Sequence, residues 1–116
     1  KREILYLMLD QNVAEGGVFV NFLGREASTH TGPVVFSLKT GAAIIPMFIV
    51  RKDNHHQIII EPEVKLGKFS NYEEDLSGNT AVLSEIIESF IRRYPEQWWW
   101  LHQRWKRQPE APLAGR

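Results

Sequence analysis

A chain of 116 residues can bury one hydrophobic core but is too short for several domains. At 43% hydrophobic and 24% charged it is neither disordered nor dominated by membrane spans, and 14 cations against 14 acids argue against a general nucleic-acid binder. With no cysteine there is no disulfide, thiolate nucleophile or Cys-type zinc site, and no apolar run reaches the roughly 18–20 residues that cross a bilayer.

Residues 4–9, Ile-Leu-Tyr-Leu-Met-Leu, form an apolar run ending in Asp10-Gln11-Asn12, the pattern of a buried strand that delivers polar groups at its carboxyl end. Residues 15–17 turn the chain, residues 18–22 predict a second strand, and Gly24-Arg25 a bend. Thr29 or Thr31 is placed to cap a helix that begins near Pro33 and stops at Gly41. Residues 43–50 predict a third strand, which Pro46 forces to be an edge, bulged or interrupted. A turn at 53–55 returns the chain into a strand over 57–61, completing a hairpin. After a loop over 62–72, the longest helix is expected over 76–94, with Ser77 or Asn79 as cap and Ala81, Leu83, Ile86, Ile87, Phe90 and Ile91 as its apolar face. Pro95 interrupts it, a short helix follows to about Arg107, and residues 110–116 are expected to be a frayed tail. The class is α/β, a mixed-sheet sandwich with flanking helices, with residues 1–109 as one structural part.

Three stretches hold side chains suited to chemistry. Asp10 follows a strand, where open α/β folds gather ligands, although a loop-capping aspartate has the same signature. Residues 22–33 place Arg25, hydroxyls and glycines ahead of a helix N-terminus. That place suits phosphate or carboxylate, with Arg25 closing on the same anion; the alternative is an ordinary capped connection. Residues 98–105 contain all four tryptophans, among His102, Arg104, Lys106 and Arg107. On a helix, Trp98, Leu101, His102 and Trp105 share one face, so they are expected to pack inward, His102 on a backbone group, leaving Arg104 and Lys106 solvated. Trp99 and Trp100, with Arg93, Lys106 and Arg107 nearby, are then candidates for a lipid headgroup interface. His55-His56 lacks further ligands and predicts a solvated turn rather than a metal site.

These motifs together resemble the bacterial lipid A biosynthesis acyltransferases, within the wider glycerolipid acyltransferase superfamily. The resemblance rests on Asp10-Gln11 after its strand, on Gly17-Val-Phe-Val-x-Phe22, Gly24, Ala27 and Thr31-Gly32, and on Lys39-Thr-Gly-Ala-x-x-x-Pro46 with Arg51 beyond. The run from Pro95 to Arg107 completes it. It implies the C-terminal part of a glycerolipid-acyltransferase-like fold, with Asp10, Arg25, Thr31, Gly32, Pro46 and Arg51 binding or shaping the acceptor site. It implies acyl transfer from an acyl carrier protein thioester to a lipid A precursor or related glycolipid, on the cytoplasmic face of the bacterial inner membrane, without metal or other cofactor. His30 stands where the family more usually has a non-basic residue, and no catalytic role is assigned to it.

The superfamily's base is a histidine followed four intervening residues later by an acid. Only His56 and Glu61 have that spacing, and they come after the central blocks, whereas the family's pair precedes them. The match therefore reads as accidental, no catalytic residue is assigned within this chain, and the dyad is expected upstream of Lys1. The rival reading is a non-enzymatic module that binds anionic membrane or a partner through its tryptophan-rich end.

Overall fold

A computed structural model of the chain describes residues 2–110. Its elements are β1 (Val18–Phe22), β2 (Arg25–Thr29), α1 (Gly32–Thr40), β3 (Met47–Lys52), β4 (His55–Ile60), α2 (Tyr72–Arg93) and a 3-10 turn, Pro95–Gln97. The chain is α/β, as its pattern indicates. The described strands form two separate antiparallel hairpins, β1–β2 and β3–β4.

The β1–β2 hairpin closes on Leu23 and Gly24, both with positive φ, 51° and 82°. Two such residues make the tight turn whose twist matches the flanking strands. Leucine adopts that conformation at a cost, and two contacts hold it there: the Glu88 carboxylate accepts the Leu23 N–H at 2.8 Å, and Asn21 Oδ1 accepts the Gly24 N–H at 3.2 Å. Arg25–Thr29, expected to be bend and loop, is therefore a strand, and its last three residues are buried.

Helix α1 ends as expected on Gly41, φ 73°, whose N–H reaches the Ser37 carbonyl. Thr31 occupies the N-cap position, but its hydroxyl makes no capping bond; His30 Nδ1 accepts the Gly32 N–H at 2.8 Å. Helix α2 begins four residues earlier than the apolar pattern suggests, because Asn71 accepts the Glu74 N–H at 2.9 Å and starts it. Asn79, expected as a cap, lies buried inside the helix instead. Its side chain clasps the preceding loop, accepting the Gly67 N–H at 2.7 Å and donating to the Gly67 carbonyl at 3.0 Å.

One face of α2 serves two cores. Leu76 and Leu83 pack with Leu9 and Val34, while Ile91 packs with Phe22 and Ala27; Ile87 touches both groups. Phe90, one turn before the helix end, stacks on Phe48 of β3 at 3.9 Å between ring centroids.

Two further expectations fail. Residues 4–8 form no strand and lie exposed, although Leu9 is buried. An apolar run becomes a strand only beside a partner, and among the described residues no strand pairs with it. Residues 98–107 form no second helix but a series of tight turns, with N–H groups of Trp100, His102, Arg104 and Lys106 reaching back two or three residues. The side chains that anchor this segment are Trp98, Arg104 and Trp105. On a helix Arg104 would sit about 120° from Trp98, so the anchors could not all point inward. The tail expected over 110–116 falls, from residue 111, outside the described residues.

Candidate functional site

Phe22, 1% exposed, is the centre of the site region. Trp98 meets its ring edge-on at 5.7 Å between centroids and Trp105 lies at 5.9 Å, with the Trp105 indole N–H donating to the Phe22 carbonyl at 3.2 Å. The Arg104 guanidinium lies over the same ring at 4.8 Å. Arg104 was expected on a solvated face. It is fully buried, donating to the Ser28 carbonyl at 2.7 Å and to Thr29 Oγ1 at 2.6 Å. Its Nε has no hydrogen-bond partner among the described residues. Burial lowers the Arg104 pKa and the Asp10 charge pulls it back up; an arginine so placed stays protonated.

Asp10 faces the same cluster. Its carboxylate accepts the Trp98 indole N–H at 3.1 Å. Two residues on, the Asn12 N–H donates to His102 Nε2 at 3.0 Å, which places the proton of the neutral ring on Nδ1. His102 is thus the packed histidine on a backbone group that its position suggested. Asn12 Oδ1 accepts the Arg107 N–H at 3.2 Å, and the Ser28 hydroxyl donates to the Val13 carbonyl at 2.7 Å. The C-terminal turns therefore clamp the Asp10–Asn12 corner against the end of β2, two residues before Thr31-Gly32.

Asp10 joins the cluster through Trp98 and the charge of Arg104, which holds Ser28 and Thr29 at the end of β2, two residues before Thr31-Gly32; Arg25 is at the other end. It begins β2, opposite Phe22, with its guanidinium 5.8 Å from the Trp105 ring. About 14 Å of strand separates it from Thr29, and its guanidinium turns to Trp105 rather than to the start of α1. Pro46 and Arg51 lie elsewhere again. Pro46 precedes β3, its carbonyl accepting the Glu61 N–H at 2.9 Å, and it lines an open groove of about 430 Å³ with Glu61, Ile86, Ser89 and Arg93. Arg51 is near the hairpin tip, where the Gln97 side chain binds both its N–H, at 2.7 Å, and its carbonyl, at 3.1 Å.

The interface candidates also divide. Trp99 and Lys106 line one open depression of about 480 Å³. Trp100, half exposed, folds back, its indole N–H donating to the Pro95 carbonyl at 2.6 Å. Arg107 lies 6.0 Å over the Phe19 ring, and Arg93 is paired with Glu61 at 3.3 Å, on the groove beside Pro46. Leu101, expected inside, is 83% exposed.

His56 stands opposite Arg51 in the β3–β4 ladder, exposed, while Glu61 lies past the far end of β4 and pairs with Arg93. About 16 Å of strand separates the two, too far for a base and the group that orients it. Among the described residues no three His, Asp or Glu side chains gather as metal ligands. Nor is any described helix long and apolar enough to cross a membrane.

The arrangement is a carboxylate and the end of β2, held together by a buried cation and two indoles, with a polar turn and a helix start beyond. Comparison with known proteins gives it a family. The profile of the bacterial lipid A biosynthesis acyltransferases matches residues 1–107, and the chain belongs to that family. The chain is 33% identical over 113 residues to the lipid A biosynthesis palmitoleoyltransferase of Escherichia coli K12, covering 94% of this chain and 35% of that protein. The lauroyltransferase of the same organism is 30% identical over 116 residues, which are 96% of this chain and 36% of the relative. A phosphatidylinositol mannoside acyltransferase of Mycolicibacterium smegmatis is 25% identical over 99 residues, 85% of this chain and 31% of its own. The chain thus spans about a third of the length of the curated relatives it matches.

Proposed function

We propose that the protein to which this chain belongs transfers a fatty acyl group from an acyl carrier protein thioester to a hydroxyl of a lipid A precursor or related glycolipid. The observation that supports this reading is the cluster in which the C-terminal turns hold Asp10 through Trp98 and the end of β2 through Arg104, two residues before Thr31-Gly32, in a chain of this family. The acceptor hydroxyl oxygen attacks the thioester carbonyl carbon while its proton passes to a base. The carbon–sulfur bond breaks, and the sulfur leaves as a thiol. We assign the base to a histidine–acid pair upstream of Lys1, and we expect the isolated chain to have no turnover. This chain supplies the acceptor side: Asp10 orders the polar corner, and the Thr31-Gly32 turn receives phosphate or sugar at the start of α1. Pro46 and Arg51 shape a flank about one strand away. Arg25 supports Trp105 rather than the anion. The reaction takes place at the cytoplasmic face of the bacterial inner membrane, which the C-terminal segment meets through Trp99, Trp100, Lys106 and Arg107; the Glu61 pair draws Arg93 away from that surface.

The test uses the full-length protein with an acyl carrier protein thioester and a deacylated lipid A precursor, following acylated product by mass spectrometry. Transfer by the natural protein, reduced at least ~10-fold per folded molecule in Asp10→Asn, is the expected result, an effect of about 1.4 kcal/mol. Absence of transfer to any glycolipid hydroxyl would leave the non-enzymatic, membrane-binding module as the better account, which the exposed Trp99 and Leu101 would then serve alone.

A further inference from the structure

The C-terminal turns have an inner and an outer side. The inner side is the clamp of Trp98, Arg104 and Trp105. The outer side carries Trp99, Trp100 and Leu101, three consecutive large apolar residues that are 69%, 50% and 83% exposed. Consecutive residues of this size seldom share the water-facing side of a soluble surface. They are also held in place. The Trp100 ring is pinned by its bond to the Pro95 carbonyl and by an edge-on contact with Trp98 at 4.7 Å. One residue past Leu101, His102 is fixed by the Asn12 N–H.

Beside this tip lies the open depression of about 480 Å³, lined by Asn12, Trp99, Leu101, His102, Gln103 and Lys106. Lys106 is the cation among these residues. From Gln97 to Gln108 the chain holds Arg104, Lys106 and Arg107 and no acid, and of these Arg104 is buried. An apolar tip with a cation one side chain away matches the boundary of a bilayer, where apolar groups enter the acyl layer and ammonium groups stay with the phosphates.

We infer that residues 99–106 are a preformed wedge for an anionic phospholipid bilayer. Leu101 enters the acyl layer at the tip, and Lys106 pairs with a headgroup phosphate in the depression beside it. The inference rests on the membrane-surface reading above and adds the inserted residue, the charge requirement and the form of the element. The backbone of the segment is already closed by turns, so docking proceeds without helix formation. In this it differs from an amphipathic helix that folds on the membrane.

This chain has no cysteine, so one thiol can be placed at will once any thiol elsewhere in the full-length protein is replaced. A nitroxide on Leu101→Cys is examined by electron paramagnetic resonance, comparing collisions with oxygen against those with a water-soluble nickel chelate. On vesicles containing phosphatidylglycerol the oxygen-to-nickel ratio should rise several-fold over the value without vesicles. A label on Val82→Cys, on the exposed side of α2, should not change. Adding Lys106→Glu should return the Leu101 label to the value seen on pure phosphatidylcholine. A label that stays open to nickel on vesicles that the protein binds overturns the wedge while leaving a peripheral membrane contact standing. Equal shielding with and without vesicles overturns it in favour of a protein-covered tip. Failure of the protein to bind vesicles at all removes both the wedge and the membrane reading.

Discussion

The two hairpins of this molecule have nearly the same construction and opposite surroundings. In β1–β2, Val20, Phe22 and Ala27 are buried and lie on the α2 side, while Ser28, whose side chain alternates to the other side, is buried beneath the Val13 segment. In β3–β4 only the face with Val50 and Phe48 is covered. On the other, Met47, Ile49, Ile58 and Ile60 are 43%, 62%, 60% and 66% exposed. Hydrophobic side chains alone therefore do not say which hairpin is structural. The first is fixed because polar groups finish what its apolar residues begin: Glu88 holds its turn and Arg104 its last rung.

Phe22 offers the widest separation of the two. Phe22→Ala should cost about 3–5 kcal/mol, since it leaves two indoles and a guanidinium around a cavity. Ile58→Ala, on the bare face of β4, should stay within about 0.5 kcal/mol. Urea denaturation of both variants measures the contrast, and equal losses would mean that the bare face is covered in solution.

Next in size is Arg104→Met, which keeps the length of the side chain but removes both charged donors, leaving the Ser28 carbonyl with the Val13 N–H at 3.4 Å and the Thr29 hydroxyl with the Ala27 carbonyl at 3.0 Å. Each lost bond to the guanidinium costs about 1.5–3 kcal/mol, offset in part because a buried charge is also removed. Arg104→Lys should not restore stability, because an ammonium cannot reproduce the fork that spans both acceptors. Thermal melts of the two variants decide the point, and full recovery with lysine would show that charge, not geometry, holds the clamp.

The smallest effect concerns pH. Burial raises the Glu88 carboxyl pKa, but the Leu23 N–H and Arg92 outweigh it, so the group titrates below the ordinary glutamate range. A depressed carboxyl contributes stability above its unfolded value, about 4.3, and loses it as pH falls through the folded value. Glu88→Gln should therefore lower stability at neutral pH and flatten its decline below about pH 4.3. An acid limb of unchanged slope would show that the turn is not held by this charge.

How much of this was legible in the sequence depended on whether local chemistry or a distant partner decides each element. Strand β1, the end of α1 at Gly41 and the β3–β4 hairpin follow from runs of apolar residues and from turn residues next to them. Strand β2 escaped because Arg25, Glu26, Ser28 and Thr29 look like a loop until Arg104, some 75 positions away, supplies the partner. Helix α2 started early for the same kind of reason: Asn71 and three acids in the first turn make a good helix start with no apolar signal. Residues 4–8 carry the reverse lesson, a strand pattern with no ladder beside it. For the site, Asp10 and Thr31-Gly32 were visible as motifs, whereas the distance of Arg25 from Thr31 follows only from β2 being extended. The burial of Arg104 had one available signal, an arginine set among indoles, and helical periodicity pointed the wrong way.

Gln97 has a consequence for how copies of this protein meet one another. Its side-chain amide binds the outward N–H and carbonyl of Arg51 as a neighbouring strand would. The rim of β3 is thereby closed at Arg51, one rung in from the hairpin tip. A second chain seeking to extend the sheet there would first have to evict a glutamine and the indole run that follows it. One amide thus works against edge-to-edge polymerisation, at the end of a hairpin whose bare isoleucine face would otherwise favour it.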